Sequence, residues 1–164
     1  MYNWRVKLMP GTPREIAVRF GGNGGLPMQY FATFGRIVMG LYFLAGGLGK
    51  ILGPTPLDQI AHMAAQGIPA AEQLFALAGA CELIGGLCMI VGLHTRLVAF
   101  LLALFCILVS VTLHAFWQMP DGHDKFIQLI MFMKNMTTMA GLFAFVGFGS
   151  GPLSLDKVFD PQGD

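Results

Sequence analysis

Four long apolar stretches, broken by short polar interruptions, set the pattern of this chain. They run over about residues 28–52, 70–93, 96–117 and 125–149. Each reaches the roughly 20 residues a helix needs to cross a hydrocarbon core. Only His94 and Thr95 separate the second stretch from the third, so these two form an antiparallel hairpin. Between the first and second, Thr55-Pro56-Leu57-Asp58 matches a capping box with proline at the first helical position. Leu57, Ile60, Ala61 and Ala64 then recur at helical spacing, and Gly67 can end the turn. This predicts a short amphipathic helix over about 56–66, lying at the membrane interface. The third connection, 118–124, is polar and turn-rich, with Phe116 and Trp117 beside it as interface markers. The pattern as a whole predicts an all-α integral membrane protein: a four-helix bundle with one interfacial helix between its first two spans.

Composition agrees with this reading. Of 164 residues, 55% are hydrophobic and only 12% are charged, against about 25% charged in soluble domains. Most of the chain therefore faces lipid or protein rather than water. A net charge of +1 gives no argument for nucleic acid. Residues 1–27 carry Arg5, Lys7, Arg14 and Arg19 with Pro10, Pro13 and a Gly21–Gly25 run broken by Asn23. No apolar h-region follows the basic residues, so this reads as a basic arm and not as a cleavable signal. The domain plan is thus an arm over 1–27, a membrane domain over 28–158 and a short tail over 159–164. Lysine and arginine concentrate in the arm, in the second connection (Arg96) and in the tail (Lys157). The positive-inside bias then places both termini in the cytoplasm.

Three ionisable residues lie inside the spans: Arg36, Glu82 and Lys134. A charge at the bilayer centre costs at least ~2.5–3.5 kcal/mol, so it persists only when paired, hydrated or used. At ~1.5 Å rise per residue, the three sit at similar depths. Each shares a helical stripe with small residues: Arg36 with Gly40 and Gly47, Glu82 with Ala78, Gly85 and Gly86, Lys134 with Thr137, Thr138 and Gly141. Small residues permit close helix approach. An internal Arg36–Glu82–Lys134 ion-pair network is the expectation, within a polar layer that also holds Lys50 and Asn135. Such a network can fix helix register. It can also relay protons, or line a polar pocket for a small redox molecule such as a quinone head group.

The remaining chemistry-bearing residues give weaker signals. His114, His62 and His123 cluster toward one side with Asp58, Asp121 and Asp124, without a recognised metal-ligand spacing. No metal site is expected. His114, with an unperturbed pKa near 6.5, can serve as a proton donor or acceptor at a pocket mouth. Cys81, Cys88 and Cys106 contain no Cys-x-x-Cys pair. The methionines of the fourth span circle it rather than line one face. No P-loop, dinucleotide fingerprint or Ser/His/Asp set is present.

The ordered landmarks resemble a known family. They are Arg36-x6-Phe43-x3-Gly47-x2-Lys50 in the first span and Glu82-Leu-Ile-Gly85-Gly86 in the second. Gly92-Leu-His-Thr95-Arg96 follows in the turn, then His114, Lys134-Asn135 and the exit Gly149-Ser-Gly-Pro-Leu-Ser154-Leu-Asp156. The set is similar to the DoxX family over about 28–158. That resemblance implies a four-helix protein of the bacterial inner membrane linked to membrane redox chemistry. Together with the buried charges it points to a quinone-associated complex, in which the residues themselves make Glu82, Arg36, Lys134 and His114 the candidate catalytic set, with no covalently bound cofactor expected. Any activity would belong to a quinone-linked oxidoreductase complex. The alternative is a non-catalytic accessory subunit of a larger respiratory or photosynthetic complex, docked through small-residue helix faces and the basic arm, with lipid as the other partner. A small-solute transporter is a third possibility, and the lack of a broken-helix pair speaks against it.

Overall fold

The computed structural model describes residues 29–54 and 56–159. The basic arm, the Thr55 half of the capping box and residues 160–164 lie outside the described residues. Among those described, every regular element is helical: α1 (Gln29–Leu52), α2 (Pro56–Ala65), α3 (Ala71–Val91), α4 (Thr95–Leu113), α5 (His123–Phe148) and α6 (Leu155–Phe159), with a 3-10 turn at Phe116–Gln118. Four segments, Tyr30–Leu52, Ala71–Val91, Thr95–Gln118 and His123–Phe148, are long and apolar enough to cross a membrane. Their large apolar side chains largely face outward, Phe34, Leu41, Leu101 and Leu108 among them. An apolar exterior is what a lipid solvent selects.

α1 packs most closely on α3, and α4 on α5. The α1–α3 seam is a backbone-to-backbone contact. A Cβ added to Gly86 would lie 2.6 Å from the Leu44 amide nitrogen, and one on Gly47 would lie 2.7 Å from the Leu83 nitrogen. Nothing larger than glycine fits there, and dispersion between two close backbones is what holds helices together in lipid. The apolar core, Phe43, Met89, Ala99, Leu102, Ala103, Cys106 and Leu142, joins all four spans.

α2 does more than rest on the interface. Its Met63 packs with Ala71 and Phe75 of α3, beside Leu113 of α4, so it leans over the bundle end away from the termini, the distal end. Gly67, at φ 76°, closes it as the sequence predicts. The third span is shorter than expected as an α-helix. It stops at Leu113, and Phe116 and Trp117 fold into the 3-10 turn, each ring edge-on to Phe132 of α5 at 5.5 and 5.8 Å. Three aromatic contacts outweigh one more helical turn.

At the terminal end, the exit from α5 folds back under the α3–α4 turn. The N–H groups of His94 and Thr95 donate to the Asp156 carboxylate at 2.6 and 2.9 Å, and the Asp156 amide donates to the Gly92 carbonyl at 2.8 Å. Asp156 thus caps α4 from a distant segment, a task that His94, in the left-handed region, does not perform with its own side chain. Partial burial pushes the Asp156 carboxyl up, but the hydrogen bonds from Thr95 and His94 together outweigh it and hold the group below its ordinary value of 3.8. A carboxylate with a lowered folded-state pKa stabilises the fold above its unfolded value. That stability is lost as pH falls through the lowered value. Asp156→Asn should therefore cost about 1 kcal/mol at neutral pH, typical of a lost cap. The gap in thermal stability from wild type should close as pH drops below 3.8; a gap that persists in acid would show that the charge is not what matters.

Candidate functional site

The three intramembrane charges do not form one network. Arg36 is fully buried, but it points to the terminal end. Its guanidinium donates to the Met89 and Ile90 carbonyls at 2.7 and 3.1 Å, and to the Leu153 carbonyl at 2.5 Å. Two facts of helix geometry explain this. Side chains lean toward the N-terminus of their own helix, and the last carbonyls of α3 have no partners within α3. α3 runs antiparallel to α1, so those carbonyls lie where Arg36 leans. Gly92, at φ 70°, keeps the space open, since a Cβ there would run into the guanidinium. Arg36 is therefore a structural clamp joining α1, the end of α3 and the returning tail. Arg96 repeats the device on a smaller scale, donating to the Val146 and Gly147 carbonyls at 3.0 Å each.

Glu82 finds its partner in Lys50 instead. The Lys50 Nζ to Glu82 Oε2 distance is 2.6 Å, with both side chains largely buried. Lys50 lies level with Gly79, where an added Cβ would stand 3.3 Å from the lysine Cβ. Glu82 is three residues further along α3, about 4.5 Å nearer the membrane centre. The same lean carries Lys50 inward and Glu82 outward, so the two meet. Gly46 makes room for the carboxylate: a Cβ there would lie 3.0 Å from Glu82 Oε2.

Lys134 departs from the expected network too. Its side chain is exposed on α5, with Met131 Sδ at 3.5 Å and the Tyr42 ring centroid at 5.9 Å. α5 packs on α4 and barely touches α1, which leaves Lys134 across a gap from Glu82. Thr137 and Thr138 bond back to their own helix, at the Met133 and Lys134 carbonyls, and not across to a neighbour.

That gap is the site. A cavity of about 370 Å³ lies between the four spans, lined by Lys50, Glu82, His114, Lys134 and Asn135 with Tyr42, Phe43 and Cys106. Of the expected polar layer, only Arg36 is missing. Asn135 is 7% exposed and lines this cavity. Its side-chain amide, a donor and an acceptor, offers hydrogen bonds to whatever occupies the cavity. His114 Nδ1 lies 2.7 Å from Gln128 Oε1 of α5, which fixes the ring. A second space of about 550 Å³ extends toward the distal end under α2, lined by Asp58, Gln59, His62 and Gln128. Lys50, Glu82 and His114 belong to both spaces, so the ion pair stands between a distal vestibule and an inner chamber. Asp121 lies apart, held by Lys125 at 2.7 Å. Among the described residues, no three His, Cys, Asp or Glu side chains converge as a metal site.

A DoxX family model matches residues 31–115, half of the chain. The chain belongs to the DoxX family. It is 31% identical over 127 residues, 77% of its length, to inner membrane protein YqjF of Escherichia coli strain K12, covering 90% of that protein. A SURF4 family model matches residues 77–159. No solved structure matches. The DoxX match contains Lys50, Glu82 and His114 but stops short of Lys134 and Asn135, which fall within the SURF4 match.

Sequence reasoning placed Lys50 in the polar layer but gave Glu82 the wrong partners. Gly46 and Gln128 went unnoticed. The signal that finds Lys50 is its position on the Arg36-Gly40-Phe43-Gly47 stripe, the stripe that seats against Gly79 and Gly86 of α3. Breaking the pair tests its worth. Lys50→Met strands a buried carboxylate and should cost about 3 kcal/mol in detergent unfolding, while Lys50→Met with Glu82→Leu should recover most of that. A double variant no more stable than Lys50→Met would refute the pairing.

Proposed function

We propose that this DoxX-family protein is a multi-pass inner-membrane subunit of redox-linked machinery, whose chamber receives the head group of a membrane quinone. Its likeness to inner membrane protein YqjF supports the location. Lysine and arginine asymmetry supports cytoplasmic termini, which puts the vestibule on the opposite, outer side. The observation that carries the reading is the set of polar groups around one cavity: the Lys50–Glu82 pair, His114, Lys134 and Asn135. Ligand sites are of this kind, mostly apolar with a few convergent polar groups.

The chemistry matches. A quinone carbonyl needs hydrogen-bond donors, which Asn135 and Lys134 supply. Its two-electron reduction takes up two protons; Glu82, a carboxylate in its pair with Lys50, and His114 stand between the chamber and the vestibule, where they relay protons drawn from water on that side. In this reading the electrons come from a donor on a partner subunit. The protein is then an integral component of a larger assembly. Glu82→Gln should lower quinone reduction in native membranes by about a hundredfold. Asn135→Leu should weaken binding of a short-chain benzoquinone to the purified protein about fivefold, the worth of one hydrogen bond. Unchanged reduction and binding in both folded variants would overturn the reading.

A further inference from the structure

The chamber and vestibule share walls with a third space of a different character. Between the distal halves of α3 and α4 lies a groove of about 590 Å³, walled by Leu74, Leu77, Cys81, Leu104 and Leu108 and floored by Met63 of α2. Its lining is almost wholly apolar, and several wall residues, Leu77 and Leu108 among them, face the membrane. Phe105 and Val109 line all three spaces, so the apolar groove meets the polar site across two side chains. The structural cause is plain. α3 and α4 are tied at their terminal ends by the two-residue turn and the Asp156 cap, while α3 packs mainly on α1 and α4 on α5. The hairpin is therefore loosely closed along its length: a further apolar space of about 450 Å³ reaches from Leu77 to Cys88 and Val98, and α2 covers the distal mouth.

We infer that the groove between α3 and α4 holds the hydrocarbon tail of the ligand whose head occupies the chamber, so the ligand enters sideways from the lipid, passing Phe105. This rests on the quinone reading of the chamber. The occupant is one molecule with two chemistries: a carbonyl-bearing ring at the Glu82 level and an alkyl or isoprenoid chain lying along α3 and α4. Neither half of the site explains the other alone. A polar head arriving from water would use the vestibule and need no groove, and an ordinary acyl chain would need no chamber behind Phe105. With both present and sharing walls, the site selects for amphiphiles whose polar end is small enough to move past Phe105 and Val109.

The test compares two probes on the full-length protein in nanodiscs of fixed lipid composition: a dimethoxy-methyl-benzoquinone bearing a decyl chain, and the same ring without the chain. Binding is read by equilibrium retention of each labelled probe. Leu77→Trp and Leu108→Trp fill the groove from opposite walls at lipid-facing positions, where a large apolar side chain is tolerated. Each should weaken the decyl probe about tenfold relative to wild type, the worth of a few displaced methylenes, and leave the ring probe unchanged. Retained ring binding also reports an intact fold. Decyl binding unaffected by either tryptophan, or both probes weakened alike, would overturn the tail assignment while leaving the head site standing. Failure of both probes to bind wild type would sink the quinone reading and the tail with it.

Discussion

Backbone contact between α1 and α3 at glycine is the constraint on which the rest depends. With Gly47 against Leu83 and Gly86 against Leu44, the two helices come closer than any side chain allows. This fixes their register to a single value. Register in turn decides which charges meet: it sets Lys50 one turn distal to Glu82 and brings Arg36 to the end of α3. A shift of one turn would separate the ion pair and leave the last carbonyls of α3 without their donor. In lipid, where apolar side chains gain nothing by hiding from one another, this dispersion contact does the organising that a hydrophobic core does in water.

The fold resolves its intramembrane charges in two different ways. Arg36 is neutralised by peptide dipoles, three carbonyls gathered from two segments, with the Asp156 carboxylate near enough to act on it electrostatically. It is sealed and serves the architecture. The Lys50–Glu82 pair is joined side chain to side chain and keeps part of its surface on a cavity. The same cost of burying charge thus yields a clamp at one end and an accessible polar site in the middle. The difference lies in what each charge faces: helix ends in one case, the gap between loosely opposed helices in the other.

Much of the architecture was legible in the sequence, because span length and composition are read directly by the membrane. The four spans, the short helix after Pro56 and its end at Gly67 follow from apolar runs and turn residues. The site was legible only in part. Depth along a helix can be counted, and it placed Glu82, Lys134 and Asn135 at one level. The direction of a long side chain cannot be counted in that way. Arg36 and Lys50 each reach several ångströms toward the start of α1, which removes one from the expected layer and brings the other to Glu82. The 3-10 break after Leu113 escaped notice because it depends on Phe132, a distant partner. The capping of α4 by Asp156 likewise joins residues 61 and 62 positions apart, which no local pattern encodes.

If the chamber around Lys50 and Glu82 is a ligand site and not merely a packing defect, a quinone probe must reach its walls. Photolabelling with a short-chain azidobenzoquinone, followed by peptide mapping of the intact membrane protein, addresses it most directly. The account predicts label on the wall segments that carry Tyr42 to Lys50 and Phe105 to His114, displaced by excess unlabelled quinone. Label spread over the lipid-facing surface alone, or undiminished by competitor, would contradict it.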